Sequence, residues 1–375
     1  MRKIYLGLFT MAFFTFSCQA QKDIISGPAD KNATVETKNL LKNLKKLTSK
    51  GIMFGHQDDL LYGVGWQNED GQSDVRKVCG DYPAVYGWEL GHLELGDSYS
   101  LDSVPFDAIR QHIKEVYARG GVNTISWHFN NPLTGGTAWD NSSAEVVKSI
   151  LPGGSKHDLF KTWMDRFTNF ITSLKDEKGV VIPIIFRPLH EHTGSWFWWG
   201  QNQCSTTDFI TLWHFMVDCL RDVKNIHNLL YCYSASDGFN TVAEYSERYP
   251  GNNYIDMVGF DCYQNNIRQK SSLRTTLNQK LSIVAGMAGE NNKIAALTEV
   301  GFEAIPDTIW WTDFLWKSMG NTGISYVLCW RNAWNRTNHY FVPYPGQVSE
   351  KDFVDFYNLP ETLFQKDITG EALYH

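Results

Sequence analysis

Eight short apolar runs recur along the chain, and amphipathic stretches with helical periodicity separate them. The runs comprise residues 52–56, 84–89, 122–128, 180–187, 229–234, 255–261, 294–299 and 324–330. They are nearly continuously apolar, without strict polar and apolar alternation, which is typical of parallel strands covered on both faces. Because strands alternate with helices, we predict an α/β fold, a single (β/α)8 TIM barrel with long substrate-side loops.

No linker rich in Gly, Ser or Pro divides the chain, so we assign residues 21–375 to one barrel. A doubly wound open sheet is the alternative architecture. The glycine patterns that bind nucleotide phosphates are missing, because no Gly-x-Gly-x-x-Gly follows the first run and no Gly-x4-Gly-Lys-Ser/Thr occurs. The longest interval between runs, residues 129–179, opens with a polar, Gly-rich segment, 130–156, that we interpret as a substrate-side loop.

The N-terminus has the layout of a bacterial export signal. A basic pair precedes an apolar run that ends at Phe16 and is too short to span a bilayer. Residues 1–20 are therefore predicted to be a signal peptide, and the protein to be exported, either periplasmic or lipid-anchored at the envelope. Cys18 completes a sequence that resembles a lipoprotein box, whereas Ala20 is the alternative point of simple cleavage. A lipid on Cys18 would be the sole membrane attachment.

Six cysteines lie beyond the signal peptide, and none forms a zinc-type Cys-x-x-Cys pair. Cys232, Cys262 and Cys329 lie inside apolar runs, so we expect buried free thiols at these positions. An exported protein permits disulfides, and Cys204 with Cys219 is the pair to test for a bridge.

The charge and the aromatic content indicate the kind of partner. The formal net charge is −7 and there is no basic run, which argues against nucleic acid as a partner. The chain contains 14 Trp, 17 Tyr and 22 Phe. Aromatic rings beside polar side chains are how proteins hold sugars, since the apolar face of a pyranose stacks on a ring. We expect a neutral partner and a monomeric protein.

Polar residues end nearly every apolar run, and in a barrel these positions form the face that carries catalytic groups. Glu191 follows the fourth run and Glu299 ends the seventh, so the two can face one another across the barrel mouth. Enzymatic hydrolysis of a glycoside requires two facing carboxyl groups. One protonates the leaving oxygen, and the other attacks the anomeric carbon or activates water. We predict these residues to be catalytic and about 5 Å apart.

The surroundings of the two carboxyls are predicted to differ. Glu191 precedes the aromatic segment 196–199, whose apolar surface would desolvate the carboxyl and raise its pKa. Glu299 needs hydrogen bonds that favour its anion. Tyr263 is a candidate donor, and Arg187 is a candidate positive charge nearby.

The spacing of His190 and His192 suggests a metal-dependent alternative, because alternate residues of a strand face the same way. A zinc motif His-Glu-x-x-His would require histidine at position 194, where Gly194 stands. The fifth and sixth runs contain no histidine, although barrel metallohydrolases usually collect ligands there. We therefore expect no metal.

With these residues in place, the sequence resembles glycoside hydrolase family 26, in particular its bacterial β-mannanases. The resemblance covers nearly all of the chain beyond the signal peptide. Its most specific segment is residues 186–199, which begins Phe-Arg-Pro-Leu-His-Glu. The other segments that carry it are residues 55–58, 127–128, 130–136, 259–263, 298–301 and 330–331.

The resemblance implies retaining hydrolysis of β-1,4-mannosidic bonds in mannan, galactomannan or glucomannan, by double displacement through a covalent glycosyl-enzyme. Glu191 would be the acid/base and Glu299 the nucleophile, in agreement with the assignment from their surroundings. No organic cofactor is implied. The substrate-binding residues that it implies are His128, Trp139, Arg187, His190, Trp196, Asp261, Tyr263, Trp330 and Arg331. Asp261 is equally interpretable as a structural acceptor beneath the site.

The sequence leaves several alternatives open. Members of the same family act on β-xylan or mixed-linkage β-glucan, and the resemblance leaves open internal cleavage or release of mannobiose from one chain end. A non-catalytic glycan-binding lipoprotein is a competing class, but it would be expected to lose one of the two carboxylates. A barrel metallohydrolase would be sensitive to chelators.

Overall fold

Eight parallel strands form a closed barrel in the computed structural model, which describes residues 27–320 and 322–375. Consecutive strands pair in chain order, and the last pairs with the first, from Met53 opposite Tyr326 to His56 opposite Cys329. The strands are β1 (Ile52–Gln57), β2 (Val85–Glu89), β3 (Val122–Ser126), β4 (Ile184–Arg187), β5 (Leu229–Ser236), β6 (Met257–Gln264), β7 (Ile294–Phe302) and β8 (Tyr326–Cys329). The predicted (β/α)8 barrel is confirmed. The predicted signal peptide and Cys18 lie outside the described residues.

Helices connect the strands and cover the outside of the barrel. They are α1 (Val35–Leu47), α2 (Asp74–Cys79), α3 (Phe106–Ala118), α4 (Val146–Ile150), α5 (His157–Ser173), α6 (Thr206–Asp218), α7 (Val242–Tyr245), α8 (Lys270–Glu290), α9 (Lys317–Met319), α10 (Glu350–Tyr357) and α11 (Gln365–Ile368). Their apolar positions recur with helical periodicity, and in α5 they include Phe160, Trp163 and Phe167, all buried. The ring of Phe167 packs on Phe186 of β4 with 4.4 Å between centroids, so the helix covers the sheet.

Short elements without a periodic signal escaped the sequence prediction. Thr362–Leu363 adds a two-residue strand parallel to the start of β1, and Tyr62–Gly63 pairs antiparallel with Trp66–Gln67. Cys219–Val223 and Trp310–Trp316 are π-helical, and Leu93–Leu95, Asn252–Tyr254, Ile267–Gln269 and Thr369–Glu371 form 3-10 turns. Elements of this length carry too few residues to show a period. In the described ranges, no helix is both long and apolar enough to cross a lipid bilayer.

All six cysteines among the described residues are free thiols. Cys232, Cys262 and Cys329 are buried, as predicted. The suggested bridge between Cys204 and Cys219 is wrong, because α6 lies between them and its 13 residues extend about 20 Å, far beyond the reach of a disulfide.

Candidate active site

A register shift between β6 and β7 sets the geometry of the barrel mouth. Phe260 lies opposite Leu297, but the next residue, Asp261, lies opposite Glu299, so β7 contains one extra residue, Thr298. Bulges of this kind re-aim side chains and are frequent beside active sites. The consequence here is that Asp261 and Glu299 are direct neighbours, although they are buried and both acidic.

Arg187, the last residue of β4, joins these two carboxylates across the barrel. Its Nη1 donates to Asp261 Oδ2 at 2.9 Å, and its Nη2 donates to Glu299 Oε1. The guanidinium is 3% exposed, so these ion pairs lie inside the protein. A buried cation between two buried anions satisfies the requirement that buried charges be paired.

Glu299 receives a second donor from the strand next to it. Tyr263 lies two residues beyond Asp261 on β6, and its hydroxyl donates to Glu299 Oε2 at 2.6 Å. Burial, with the Glu299 charge beside it, raises the pKa of Tyr263 well above its ordinary value. The phenol therefore stays protonated and remains a donor. The two predicted partners of Glu299, Arg187 and Tyr263, are both in contact with it.

Glu191 lies in the loop after β4, in an unusual backbone conformation. Its φ angle is 53°, in the left-handed region that glycine favours, and Leu189 has a φ angle of 50°. The Glu191 N–H donates to the Ser234 carbonyl of β5 at 2.9 Å, which fixes this backbone to the barrel. Backbone strain of this kind persists where the surrounding structure holds it, and it is concentrated at functional sites.

The Glu191 carboxyl accepts a hydrogen bond from Trp196 Nε1 at 2.6 Å. Burial, followed by the charges of Asp261 and Glu299, raises its pKa well above the ordinary value, whereas the Trp196 hydrogen bond lowers it. The predicted direction of the shift is confirmed, and the predicted cause, desolvation of the carboxyl, is the largest contribution to it. The indole that touches the carboxyl favours the anion, and general burial with two neighbouring carboxylates outweighs it.

The aromatic segment 196–199 divides into one exposed and three buried rings. Trp196 is 43% exposed, whereas Phe197, Trp198 and Trp199 are buried. Trp199 Nε1 donates to the His190 carbonyl at 2.8 Å, and Trp198 Nε1 donates to the Phe129 carbonyl at 3.2 Å. Three of the four rings therefore support the loop, and Trp196 offers the surface on which a ligand can stack.

The loop after β3 contributes another exposed indole. Trp139 is 49% exposed, and its ring stacks on His128 with 5.1 Å between centroids and 10° between planes. Asn141 Nδ2 donates to the Ser195 carbonyl at 2.9 Å, so this loop is tied to the loop that carries Glu191. Trp330 is half-buried at the end of β8, with its ring 6.1 Å from that of His128.

Two of the predicted substrate-binding residues, Asp261 and Arg331, bind other side chains of the protein. Asp261 lies beneath the site, where Ser234 and Thr298 donate to Oδ1 at 3.1 and 2.7 Å. Arg331 is paired with Asp102, whose Oδ1 is 3.1 Å from its Nη2. The structural interpretation of Asp261 therefore has direct support from its contacts, and direct substrate binding by either residue stays a prediction.

Glu89 is a site residue that the sequence prediction did not select. It ends β2, where its polar character after an apolar run was the available signal, and its carboxylate bonds His128 Nδ1 at 2.7 Å. His128 Nε2 in turn lies 3.0 Å from His190 Nε2. Glu89 therefore contacts His128, and His128 contacts His190. His190 directly precedes Glu191 in the chain.

One group of side chains among the described residues has the spacing of a metal site. Potential ligand atoms of His190, Asp261 and Glu299 lie within 4.8 Å of one another. The Arg187 guanidinium already contacts both carboxylates, so a cation is already present where the metal would bind. The three acidic and basic side chains therefore form an ion pair, and we do not assign a metal to the group.

The site contains two carboxyls in opposite environments. Glu299 is held by a guanidinium and a phenol, and Glu191 is held towards its neutral form, in part by the charge of Glu299. A neutral acid and a carboxylate within electrostatic reach can act on opposite sides of one glycosidic bond. The separation of about 5 Å between them stays a prediction.

The chain is similar to known proteins over most of its length. The model of glycosyl hydrolase family 26 matches residues 29–340. A mannan endo-1,4-beta-mannosidase of Bifidobacterium adolescentis is 36% identical over 280 residues, which are 73% of this chain and 28% of that protein. The mannan endo-1,4-beta-mannosidase A and B of Caldalkalibacillus mannanilyticus is 25% identical, over 90% of this chain and 66% of that protein.

A solved structure gives a closer likeness. A GH26 beta-mannanase from Bacteroides ovatus superposes with a TM-score of 0.88 at 47% identity, over 91% of this chain and 98% of that chain. The two curated relatives are longer than this chain, which spans 28% and 66% of their lengths.

Proposed function

The chain belongs to glycosyl hydrolase family 26, and on that premise we propose that it hydrolyses internal β-1,4-mannosidic bonds with retention of anomeric configuration. The observation that carries the proposal is a pair of carboxyls in opposite electrostatic environments, Glu191 in the loop after the fourth strand and Glu299 within the seventh. The proteins named above, whose substrate is mannan, support the choice of sugar.

In the first step, Glu299 attacks the anomeric carbon and Glu191 donates its proton to the leaving oxygen. The C–O bond to the leaving sugar breaks, and an ester forms between Glu299 and the mannosyl unit. Arg187 and Tyr263 orient the attacking carboxylate through both of its oxygens. The raised pKa of Glu191 keeps a proton on that carboxyl at neutral pH, as a general acid requires.

In the second step, Glu191 acts as a base. The ester removes the negative charge of Glu299, and that charge contributes to the raised pKa of Glu191. The pKa of Glu191 therefore falls in the intermediate, so the carboxylate can take a proton from water. The water oxygen bonds to the anomeric carbon, the ester bond breaks, and both carboxyls return to their initial states.

The exposed indoles have the chemistry of sugar platforms. Trp139 and Trp196 are the exposed members of the aromatic set around the site, and both are tied to loops at the barrel mouth. We assign Trp196 to the leaving-group side because its Nε1 contacts the acid/base carboxyl. The ligand is a β-mannan poly- or oligosaccharide, and the protein acts as a monomer.

Replacement of Trp196 by phenylalanine is expected to move the basic limb of the kcat/KM profile upwards by about one pH unit. The Trp196 hydrogen bond lowers the pKa of Glu191, so its loss raises that pKa, and a hydrogen bond to a charged group contributes about 1.5 kcal/mol. Measurement of kcat/KM between pH 5 and 10 tests this, with Trp334→Phe, at another exposed tryptophan, as control. A basic limb that stays in place would contradict the hydrogen-bond assignment.

The proposed activity is tested by reducing ends released from galactomannan, unsubstituted mannan, xylan and mixed-linkage glucan. Mannan is expected to be cleaved with an early fall in viscosity, because internal cuts shorten the polymer. Mannobiose as the sole early product would indicate cleavage from one chain end. No product from any glycan would favour a binding protein, and loss of activity in EDTA would favour a metallohydrolase.

We also propose export to the envelope, with a lipid on Cys18 or simple cleavage near Ala20. Fractionation of cells that produce the wild type and Cys18→Ala distinguishes the two routes. Lipidation predicts that the wild type is found with membranes and the variant is not. Equal distribution of both proteins in the soluble fraction would contradict the lipid anchor.

A further inference from the structure

The Glu89 carboxylate is buried and completely surrounded by donors. Oε1 accepts the N–H groups of Gly91 at 2.6 Å and His128 at 2.8 Å. Oε2 accepts from Ser126 Oγ at 3.0 Å and is 2.7 Å from His128 Nδ1. An environment of this kind favours the anion, and although burial opposes the charge, the contacts with His128 lower the pKa of Glu89. The carboxylate fixes the end of β3 and requires a hydrogen on His128 Nδ1.

Both ring nitrogens of His128 are therefore occupied by protein partners. Nδ1 faces Glu89, and Nε2 lies 3.0 Å from Nε2 of His190. Two imidazole nitrogens at this distance form a hydrogen bond only if one of them carries the hydrogen and the other offers a lone pair. The geometry leaves His128 no free ring nitrogen to bond a sugar hydroxyl, in contrast to the substrate contact that the resemblance implies.

The charges around the two rings decide which nitrogen carries the hydrogen. Although burial disfavours a charged ring, the Glu89 carboxylate raises the pKa of His128. Burial and the positive charges of Arg187 and His128 lower the pKa of His190 well below its ordinary value. The other charged or titratable groups that act on His128 are Asp102 from the loop after β2, Glu299 from β7 and Arg187 from β4. Glu299 raises the pKa of His128, and Arg187 lowers it.

We infer that Glu89 is a positioning residue that holds His128 as an imidazolium, whose Nε2–H donates to His190 and keeps that ring neutral with its hydrogen on Nδ1. Glu89 and His128 act through His190, which adjoins the acid/base Glu191. The catalytic consequence rests on the proposed function, whereas the protonation states do not.

The charge of His190 affects the carboxylate of the proposed nucleophile, Glu299. A ring nitrogen of His190 lies within 4.8 Å of carboxylate oxygens of Asp261 and Glu299. A protonated His190 would add a second cation to the one that Arg187 supplies and would weaken Glu299 as a nucleophile. A neutral His190 leaves Arg187 and Tyr263 as the donors to that carboxylate. The buried carboxylate of Glu89 thus fixes the charge pattern beside the reacting bond.

The protonation states are measured by NMR of 15N-labelled histidine rings in the wild-type protein, without substrate. At pH 6.5, both ring nitrogens of His128 are expected to give protonated-type signals, and His190 is expected to be neutral with hydrogen on Nδ1. The His128 signals are assigned by their loss in His128→Gln. A neutral His128 at this pH would overturn the inference. Because the measurement uses the wild-type protein, it remains valid even if no variant at Glu89 folds.

Glu89→Gln tests the role of the charge in catalysis. The amide can donate to a neutral His128, so the ring keeps a partner and loses its positive charge. On mannan, kcat is expected to fall about tenfold to a hundredfold at pH 6.5, with a smaller change in KM, similar to the loss of other carboxylates that orient histidines. The deficit should shrink as pH falls towards 5, because His128 regains its proton.

Glu94→Gln is the matched control. Glu94 is also buried, and it also holds the end of β3, through Trp127 Nε1 at 2.9 Å and the Asn130 N–H at 2.7 Å. A purely structural role of Glu89 predicts equal behaviour of the two variants and a deficit that does not change with pH, and that result would overturn the inference. The wild-type protein could also give the expected ring signals but show no activity on any mannan. That result would contradict the proposed function and leave the inferred protonation states intact.

Discussion

Glu299→Ala is expected to reduce kcat on mannan by about 10⁵-fold, the scale of losing the nucleophile in a covalent hydrolase. The variant cannot form the ester, and the remaining groups bind the substrate without a route to the intermediate. Sugar binding should persist, because the exposed indoles at Trp139 and Trp196 are unchanged. The measurements are the initial rate of reducing-end release and the Kd for mannohexaose by calorimetry.

An external nucleophile identifies the role of Glu299 directly. With an activated aryl β-mannobioside, azide should enter the space left by the side chain and restore turnover, giving an α-mannosyl azide. Glu303→Ala, which removes an exposed carboxyl from the same segment, is the control and should keep near-normal activity. Activity of Glu299→Ala within tenfold of the wild type would show that this carboxyl is not the nucleophile.

Because alanine at position 299 leaves Arg187 with Asp261 as its remaining buried partner, stability must be measured in parallel. Removal of one member of a buried ion pair commonly costs about 3–5 kcal/mol. Glu299→Gln keeps an acceptor for Arg187 and should unfold close to the wild-type temperature while remaining inactive. Loss of activity in a stable glutamine variant separates chemistry from folding.

Glu191→Ala is expected to reduce kcat on mannan by about 10²–10⁴-fold, the usual contribution of a general acid. The effect should depend on the leaving group. A dinitrophenolate leaves without protonation, so an aryl β-mannobioside should react rapidly in the first step and stall at the ester. Stopped-flow measurement should show a burst of phenolate followed by slow turnover.

Azide again distinguishes the two carboxyls. In Glu191→Ala, it should attack the accumulated ester from the opposite face and give a β-mannosyl azide, with retained configuration. Glu191→Gln is the matched variant, because its amide oxygen can still accept the Trp196 hydrogen bond. An α-mannosyl azide from the Glu191 variant would show that the roles of acid/base and nucleophile are assigned to the wrong carboxyls.

The sequence determined the architecture and the positions of the carboxyls along it. Each of the eight apolar runs overlaps a strand of the barrel, because burial on both faces leaves a nearly continuous apolar stretch in the sequence. The end of an apolar run is likewise a local property of the chain, although β7 continues past Glu299 to Phe302. The sequence alone therefore assigns Glu191 and Glu299 to one face of the barrel.

The tertiary structure decided what each side chain contacts. The extra residue at Thr298 brings Asp261 beside Glu299, and apolar periodicity carries no signal for a bulge of one residue. Three rings of the 196–199 segment turned out to be buried, although all four are equally apolar in sequence. Composition cannot distinguish a ring that supports a loop from one that offers a surface.

The contacts from Glu89 to His128 and His190 have the same origin. These residues come from three neighbouring strands and their loops, and they meet only because the barrel closes. Local sequence encodes the period of an element, since neighbours along the chain share one environment. Hydrogen-bond partners and pKa values depend on groups that are distant in sequence and close in space, so folding alone defines them.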